Sequence, residues 1–235
     1  MLKIYGATKY YGETTALGNV SITMERGEVV GLFGANGAGK TTLLKAVMGL
    51  LDLTAGWVSL DNIMVTNGVY DKLSYITEEG SFFPELTPAA HGEFYKDMLP
   101  RFNTQRYNQL IEFFELAPNK KARTLSRGQR AKLEIAIGMS RGADFILMDE
   151  PFLGKDIFTR RDFLKLMIAL LEPHECVVIA THQIEEIDMF ITRAAIMKEG
   201  RIVADRQMDE LEGEGLLELI QRSCGYDEGR VMGFF

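Results

Sequence analysis

The sequence predicts an α/β chain: a mostly parallel sheet core, an antiparallel β unit at its N-terminal end and an α-helical unit inserted into the core. Three observations carry this. Short apolar runs, "VVGLF", "FILM" and "CVVIA", are separated by segments with helical periodicity, as for strands buried on both faces between crossover helices. Two β-rich, glycine-bounded stretches, "LKIYGATKYYG" and "GNVSITME", precede the first of those runs and read as antiparallel strands. Over residues 84–140 the texture becomes helical.

Taken in order, "GEVVGLFG" is a strand entering a glycine-rich turn. "KTTLLKAVMGLL" places Leu43, Leu44, Val47, Met48 and Leu51 at helical spacing. "GWVSLDN" and "KLSYIT" read as further strands. Thr87 before Pro88 is an N-cap followed by a first-turn proline, and "FFELA" and "AKLEIAIGMS" continue the helical period. "ADFILMDE" returns to strand, followed by a helix over 157–171, the strand "ECVVIATH" and a hairpin "RAAIMKEGRIVADR" turning at Glu199-Gly200. The tail after Arg206 has room for one helix, "MDELEGEGLLELIQR". The expected organisation is one unit, 1–235, with a core of 1–79 and 141–235 and a helical insertion of 80–140.

Composition narrows the function classes. The 235 residues carry a formal charge of −7, with 46% hydrophobic and 25% charged residues, an ordinary globular balance. An acidic chain lacks the basic surface that general nucleic-acid binding requires, so no nucleic-acid partner is expected. Cys176 and Cys224 form no CxxC pair, which suits a reducing compartment and gives no metal-site spacing. The N-terminus lacks a signal-peptide core, and the apolar runs fall short of the roughly 20 residues that span a bilayer. A cytosolic location is expected, with any membrane crossing left to other chains.

The chemistry begins with "GANGAGKT", residues 34–41, which matches the phosphate-loop pattern G-x-x-x-x-G-K-[ST] between a strand and a helix. Gly34, Ala35, Asn36, Gly37, Ala38 and Gly39 can turn backbone N–H groups toward a phosphate, with the helix dipole behind them. Lys40 balances the terminal phosphates, Thr41 offers a hydroxyl to Mg²⁺, and Thr42 follows on the same turn. This marks a P-loop nucleotide site with Mg²⁺ and leaves kinases, GTPases and many ATPases open.

In "FILMDE", Asp149 and Glu150 end an apolar strand, and the C-terminal edge of a parallel sheet is where ligands bind. Asp149 suits Mg²⁺ through a water, and Glu150 suits the polarisation of an attacking water. A second carboxylate directly after the metal one points to hydrolysis. "LSRGQR", residues 125–130, has an N-cap position at Ser126 and a sterically open Gly128, the parts of an anion site or of a plain helix cap.

Together, "GANGAGKTT", "LSRGQ", "FILMDEP" and "THQ" resemble the ATP-binding subunit of an ABC transporter, over nearly the whole chain from "KYYGETTALGNVS" to "AIMKEGRIVAD". The texture is similar to bacterial exporter-type subunits, including those of the acetoin-utilisation or antibiotic-response kind. The resemblance implies a RecA-like core and ATP hydrolysis powering separate transmembrane permease subunits, with the chain peripheral on the inner face of the membrane. It also implies a second ATP-binding subunit, identical or paralogous, joined head to tail around two ATP. Ser126, Gly128 and Gln129 would then touch the γ-phosphate held by the partner's loop. His182 matches the switch histidine, Asp156 the acidic residue after the metal-binding strand, and Tyr11 the adenine-stacking aromatic, with Tyr10 competing. His91 and His174 match nothing and are expected to be solvated.

Three departures stand out. Arg127 replaces a glycine of the signature. Glu78 occupies the position of a metal-approaching glutamine, adding negative charge there. "PFLGKD" replaces a loop of small residues before Asp156. The last two admit a slow nucleotide switch as an alternative to a fast enzyme; a soluble ATPase acting on ribosomes or DNA is the other.

Overall fold

The computed structural model describes residues 1–77, 80, 82–151, 157–182, 187–211 and 215–225. Among these, ten strands form two sheets, and the second sheet builds the site. Strands β3 (Val29–Phe33), β6 (Leu73–Ile76), β7 (Phe145–Asp149), β8 (Cys176–Thr181) and β9 (Arg193–Lys198) run parallel in the order β9-β3-β8-β7-β6. β10 (Arg201–Gln207) is added antiparallel at the β9 edge. The hairpin turns at Glu199 and Gly200, both at positive φ (49° and 74°), the geometry that keeps a two-residue turn in step with strand twist.

The parallel strands are apolar on both faces because both are covered. Along β7, Phe145 and Leu147 enter one core, while Ile146 and Met148 enter the other. β3 divides the same way, Val30 and Leu32 against Val29 and Phe33. One core is closed by α1 (Lys40–Val47) and an antiparallel sheet of β1 (Leu2–Tyr11), β2 (Thr14–Met24), β4 (Ala55–Leu60) and β5 (Ile63–Met64), ordered β2-β1-β4-β5. "GWVSLDN" therefore belongs to the antiparallel sheet, and "KLSYIT" to the parallel one.

Between β6 and β7 lie α2 (Pro88–Met98), α3 (Thr104–Phe113) and α4 (Arg127–Ser140), packed on the other core with α5 (Ile157–Leu170). Thr87 caps α2, accepting from the Ala90 N–H at 3.2 Å. Arg106 of α3 and Glu175, before β8, are each 97% buried and joined by two bonds of 2.8 and 2.9 Å. The Arg106 guanidinium also donates to the Met139 carbonyl at the end of α4. This fastens the helices to the loop that feeds the site strand β8.

Three sequence expectations are corrected. "FFELA" does not continue a helix: Glu115 sits at φ 53° and α3 stops at Phe113. The tail's helix, α6, is Leu216–Cys224, and Met208–Glu210 forms a separate 3₁₀ turn. His91 is fully buried, not solvated. Its Nε2 accepts from the Phe83 N–H (2.9 Å) and its Nδ1 lies 2.8 Å from the Thr87 carbonyl, which makes it the Nδ1–H tautomer, held below its usual pKa by burial. His174 is exposed as expected.

Candidate functional site

The site forms where three adjacent strands end together. β8 lies between β3 and β7, and the register pairs Phe33 with Thr181 and Asp149 with Ala180. The residues that follow, Gly34, Glu150 and His182, therefore leave the sheet side by side. The parallel sheet converts three sequence-distant motifs into one cluster.

From β3 the chain turns through residues 34–39 into α1. Ala35, Asn36 and Gly37 are exposed, whereas Gly34 and Ala38 are buried. Gly39, at φ 105°, precedes α1, and no side chain caps the helix. The first N–H groups of α1 thus have no side-chain acceptor, the condition for anion binding at a helix mouth. Gly39 is also required by close approach, since a Cβ there would lie 2.6 Å from the Ala16 carbonyl oxygen. Lys40 is 94% buried, donating to the carbonyls of Gly34 (2.6 Å) and Ala35 (3.2 Å), with Glu150 Oε1 at 3.7 Å. Burial lowers its pKa, and Glu150 and Asp149 oppose that shift. Thr41 is exposed and Thr42 half-buried on the first turn.

Asp149 is 92% buried at the end of β7. Its Oδ2 accepts from the Tyr75 hydroxyl at 3.0 Å, while the buried Oδ1 has no hydrogen-bond partner. An orphaned, buried carboxylate oxygen is costly to keep, and a metal-bound water would satisfy it. Among the described residues no cluster of three or more His, Cys, Asp or Glu could hold a metal. A hydroxyl at Thr41 and one carboxylate suit Mg²⁺, which keeps waters and takes phosphate oxygens for the rest of its shell. The residues fit Mg²⁺ brought with a nucleotide.

Glu150 has φ 47°, a strained conformation for a residue with a side chain, costing about 1–3 kcal/mol. The surroundings fix it: its N–H donates to the Ala180 carbonyl (2.9 Å), and Oε2 accepts from the Thr181 hydroxyl (3.0 Å). Oε1 accepts from the His182 N–H (3.2 Å) and lies 2.9 Å from His182 Nδ1. With Nδ1 donating to Glu150, Nε2 can donate to a phosphate oxygen only when the ring carries both protons.

Ser126 caps α4 in full. Its hydroxyl accepts from the Gln129 N–H (3.2 Å), and the Gln129 side chain accepts from the Ser126 N–H (3.0 Å). A hydroxyl that accepts keeps its own proton to donate. Gly128 is exposed, and a Cβ added there would meet nothing within 4 Å; packing within this chain does not demand a glycine. Arg127 is likewise exposed. The described residues lining the cavity against the phosphate loop include none of Ser126, Gly128 or Gln129.

Tyr10 and Tyr11 are about half exposed at the end of β1, so neither is a core side chain. The Lys9 ammonium stands 5.3 Å from the Tyr11 ring centroid. Glu78, Asp156 and residues 152–155 before it lie outside the described residues, as does Gln183. Sequence reasoning missed Tyr75 and Thr181. Thr181 adjoins His182 in "ATH" and was findable; Tyr75 lies 74 residues before its partner, on a neighbouring strand.

A family model described as ABC transporter matches residues 17–153. The chain is 28% identical over 217 residues to the ABC transporter ATP-binding protein YtrB of Bacillus subtilis, covering 91% of this chain and 74% of that protein. It is 32% identical over 207 residues to the lipopolysaccharide export system ATP-binding protein LptB of Haemophilus influenzae, with 83% and 86% covered. Among solved structures, the dimeric post-hydrolysis state of the ATP-binding cassette MJ0796 with ADP and Pi is similar at TM-score 0.77 and 26% identity. It covers 88% of this chain and 99% of that one.

Proposed function

The chain belongs to the ABC transporter family, and we propose on that premise that each nucleotide is enclosed between two chains, one supplying its phosphate loop and the other the mouth of its α4. The chain is an ATP-binding, ATP-hydrolysing transporter subunit that uses Mg²⁺ and works in pairs with membrane permease subunits. The finer assignments are our reading. The core is 1–79 with 141–235, and 80–140 is the helical unit bearing the signature. The partner is a second copy or a paralogue, the direction is export, and the subunit sits on the inner membrane face without a nucleic-acid partner. No helix among the described residues is long and apolar enough to cross a membrane, which fits a subunit that relies on others to span it.

In this reading the backbone of 34–39 and Lys40 grip the phosphates, and the adenine stacks on Tyr11. Thr41 and Asp149 would hold Mg²⁺, with Glu78 the third candidate ligand, and the metal would offset phosphate charge when bound. Glu150 takes a proton from the attacking water on a carboxylate whose two oxygens Thr181 and His182 already orient. His182 presents Nε2 to the γ-phosphate. Across the interface, Ser126 donates its hydroxyl, Gly128 lets the phosphate approach the α4 backbone, Gln129 holds the cap, and Asp156 reaches the opposite site.

The observation that carries the reading is the contrast between the two helix mouths: α1 has no side-chain cap, whereas α4 is fully capped yet bears an exposed glycine its own packing does not need. Glu150→Gln tests it. Removing a general base lowers turnover by about 10²–10⁴-fold, while ATP binding persists and ATP gathers the variant into dimers. A variant that hydrolyses ATP at the parent rate, or binds ATP and stays monomeric, overturns it. Equal near-zero rates in parent and variant would instead favour the slow switch.

A further inference from the structure

Two hydroxyls reach the acidic pair at the end of β7, one from each neighbouring strand. From β8, Thr181 donates to Glu150 Oε2 at 3.0 Å. From β6, Tyr75 donates to Asp149 Oδ2 at 3.0 Å. The sheet register explains why the second is a tyrosine. Tyr75 stands opposite Leu147, and Asp149 comes two residues later, about 6.6 Å further along the strand. Side chains two apart on a strand share a face, so Leu147 and Asp149 point the same way. A serine or threonine at 75 would fall short, whereas a phenol spans the step.

The ring is held while it reaches. Tyr75 packs against the core that contains Leu43, Leu44 and Val47 of α1 together with Leu147. The hydroxyl therefore has a fixed base, and the carboxylate it holds is itself 92% buried. With Oδ2 taken, Asp149 keeps one oxygen to offer, the buried Oδ1 that has no hydrogen-bond partner. Cations differ in what they ask of a carboxylate. Ca²⁺ takes about 6–8 oxygens and can use both of one carboxylate. Mg²⁺ is smaller, demands near-octahedral geometry and combines one or two carboxylates with water and phosphate oxygens. A carboxylate restricted to one oxygen suits Mg²⁺ and withholds a ligand from Ca²⁺.

We infer that Tyr75 is a positioning residue of the nucleotide site: by holding Oδ2 it presents Asp149 through Oδ1 alone, and so sets the preference of the site for Mg²⁺ over Ca²⁺. The inference rests on the metal assignment of Asp149 in the function proposed above, and not on the meeting of two chains. Removing the hydroxyl frees the carboxylate to turn, which costs Mg²⁺ a prepared ligand and returns a second oxygen to Ca²⁺. Loss of a hydrogen bond behind a metal ligand typically weakens metal binding by about 10–100-fold.

Tyr75→Phe keeps the ring and deletes only the oxygen. The probe is a fluorescent, non-hydrolysable ATP analogue, bound by excess protein at a concentration where sedimentation shows single chains. Mg²⁺ or Ca²⁺ is then titrated into the complex, and the midpoint of the fluorescence change is read for each. In Tyr75→Phe the Mg²⁺ midpoint is expected to rise about tenfold, while the Ca²⁺ midpoint stays or falls and metal-free binding of the analogue is unchanged. In an Asp149→Asn chain, Tyr75→Phe should add nothing further, because the carboxylate it positions is gone. An unchanged Mg²⁺ midpoint, Mg²⁺ and Ca²⁺ midpoints that rise together, weakened metal-free binding (a packing defect), or a further rise in the Asp149→Asn chain would each overturn the inference. A parent chain whose bound nucleotide responds to no metal refutes the metal assignment of Asp149, and the inference with it. A parent that responds and a Tyr75→Phe chain that matches it refute the inference alone.

Discussion

Ser126 serves its own helix and, in this account, another chain's phosphate, and substitution can separate the two. Ser126→Ala removes the cap bond to the Gln129 N–H, costing about 1 kcal/mol, or about 2–4 °C in Tm for a chain of this size. Ser126→Asp keeps a good cap and favours the positive end of the α4 dipole, so its Tm should match the parent's. The two differ more at the interface. A hydrogen bond to a charged phosphate contributes about 1.5–3 kcal/mol. Two composite sites per pair make that about 3–6 kcal/mol, or roughly 10²–10⁴-fold in the dimer dissociation constant. Aspartate adds like-charge repulsion to the loss. The assay is sedimentation with ATP in the Glu150→Gln background, beside thermal melts of each chain. Normal stability with abolished ATP-driven pairing is expected for Ser126→Asp. Pairing at the parent's ATP and protein concentrations would refute the second role of Ser126 and leave only a helix cap.

Other expectations are independent of that interface. His91, neutral and held below its ordinary value of 6.5, binds fewer protons folded than unfolded. Its contribution is therefore whole above that value and lost as pH falls below it; His91→Phe should flatten that limb of the stability–pH curve and cost about 1–3 kcal/mol above pH 6.5 by stranding the Phe83 N–H, a cost that shrinks as pH falls. Arg106→Met alone should cost about 3–5 kcal/mol by leaving Glu175 buried without its partner. Adding Glu175→Met should recover part of it, as denaturant melts will show. Asp149→Asn should keep ATP binding without metal while raising the Mg²⁺ needed for turnover by about 10–100-fold, read from Mg²⁺ titrations of phosphate release.

The strands and the phosphate loop were legible because their signals are local: β7 and β8 are buried on both faces and so are apolar throughout. The cluster at the strand ends could be anticipated only in part. Glu150 and His182 stand in recognisable stretches, but the Tyr75 hydroxyl reaches Asp149 through a strand pairing that no local pattern states. His91 was misjudged for the same reason. Its burial depends on Phe83 folding back over α2 and packing its ring against Phe94 at 4.8 Å, a tertiary event. "FFELA" keeps a helical period past the point where Glu115 turns left-handed, and periodicity does not register a backbone reversal. The approach of α6 to the phosphate loop, across about 180 residues of sequence, was likewise invisible.

The most direct measurement of the central claim is phosphate release per chain, followed from high to low protein concentration at saturating ATP and Mg²⁺. A site that two chains complete gives a specific rate that climbs with concentration and dies away on dilution. A nonzero rate per chain that stays level across the dilution series, down to where only monomers remain, would contradict it.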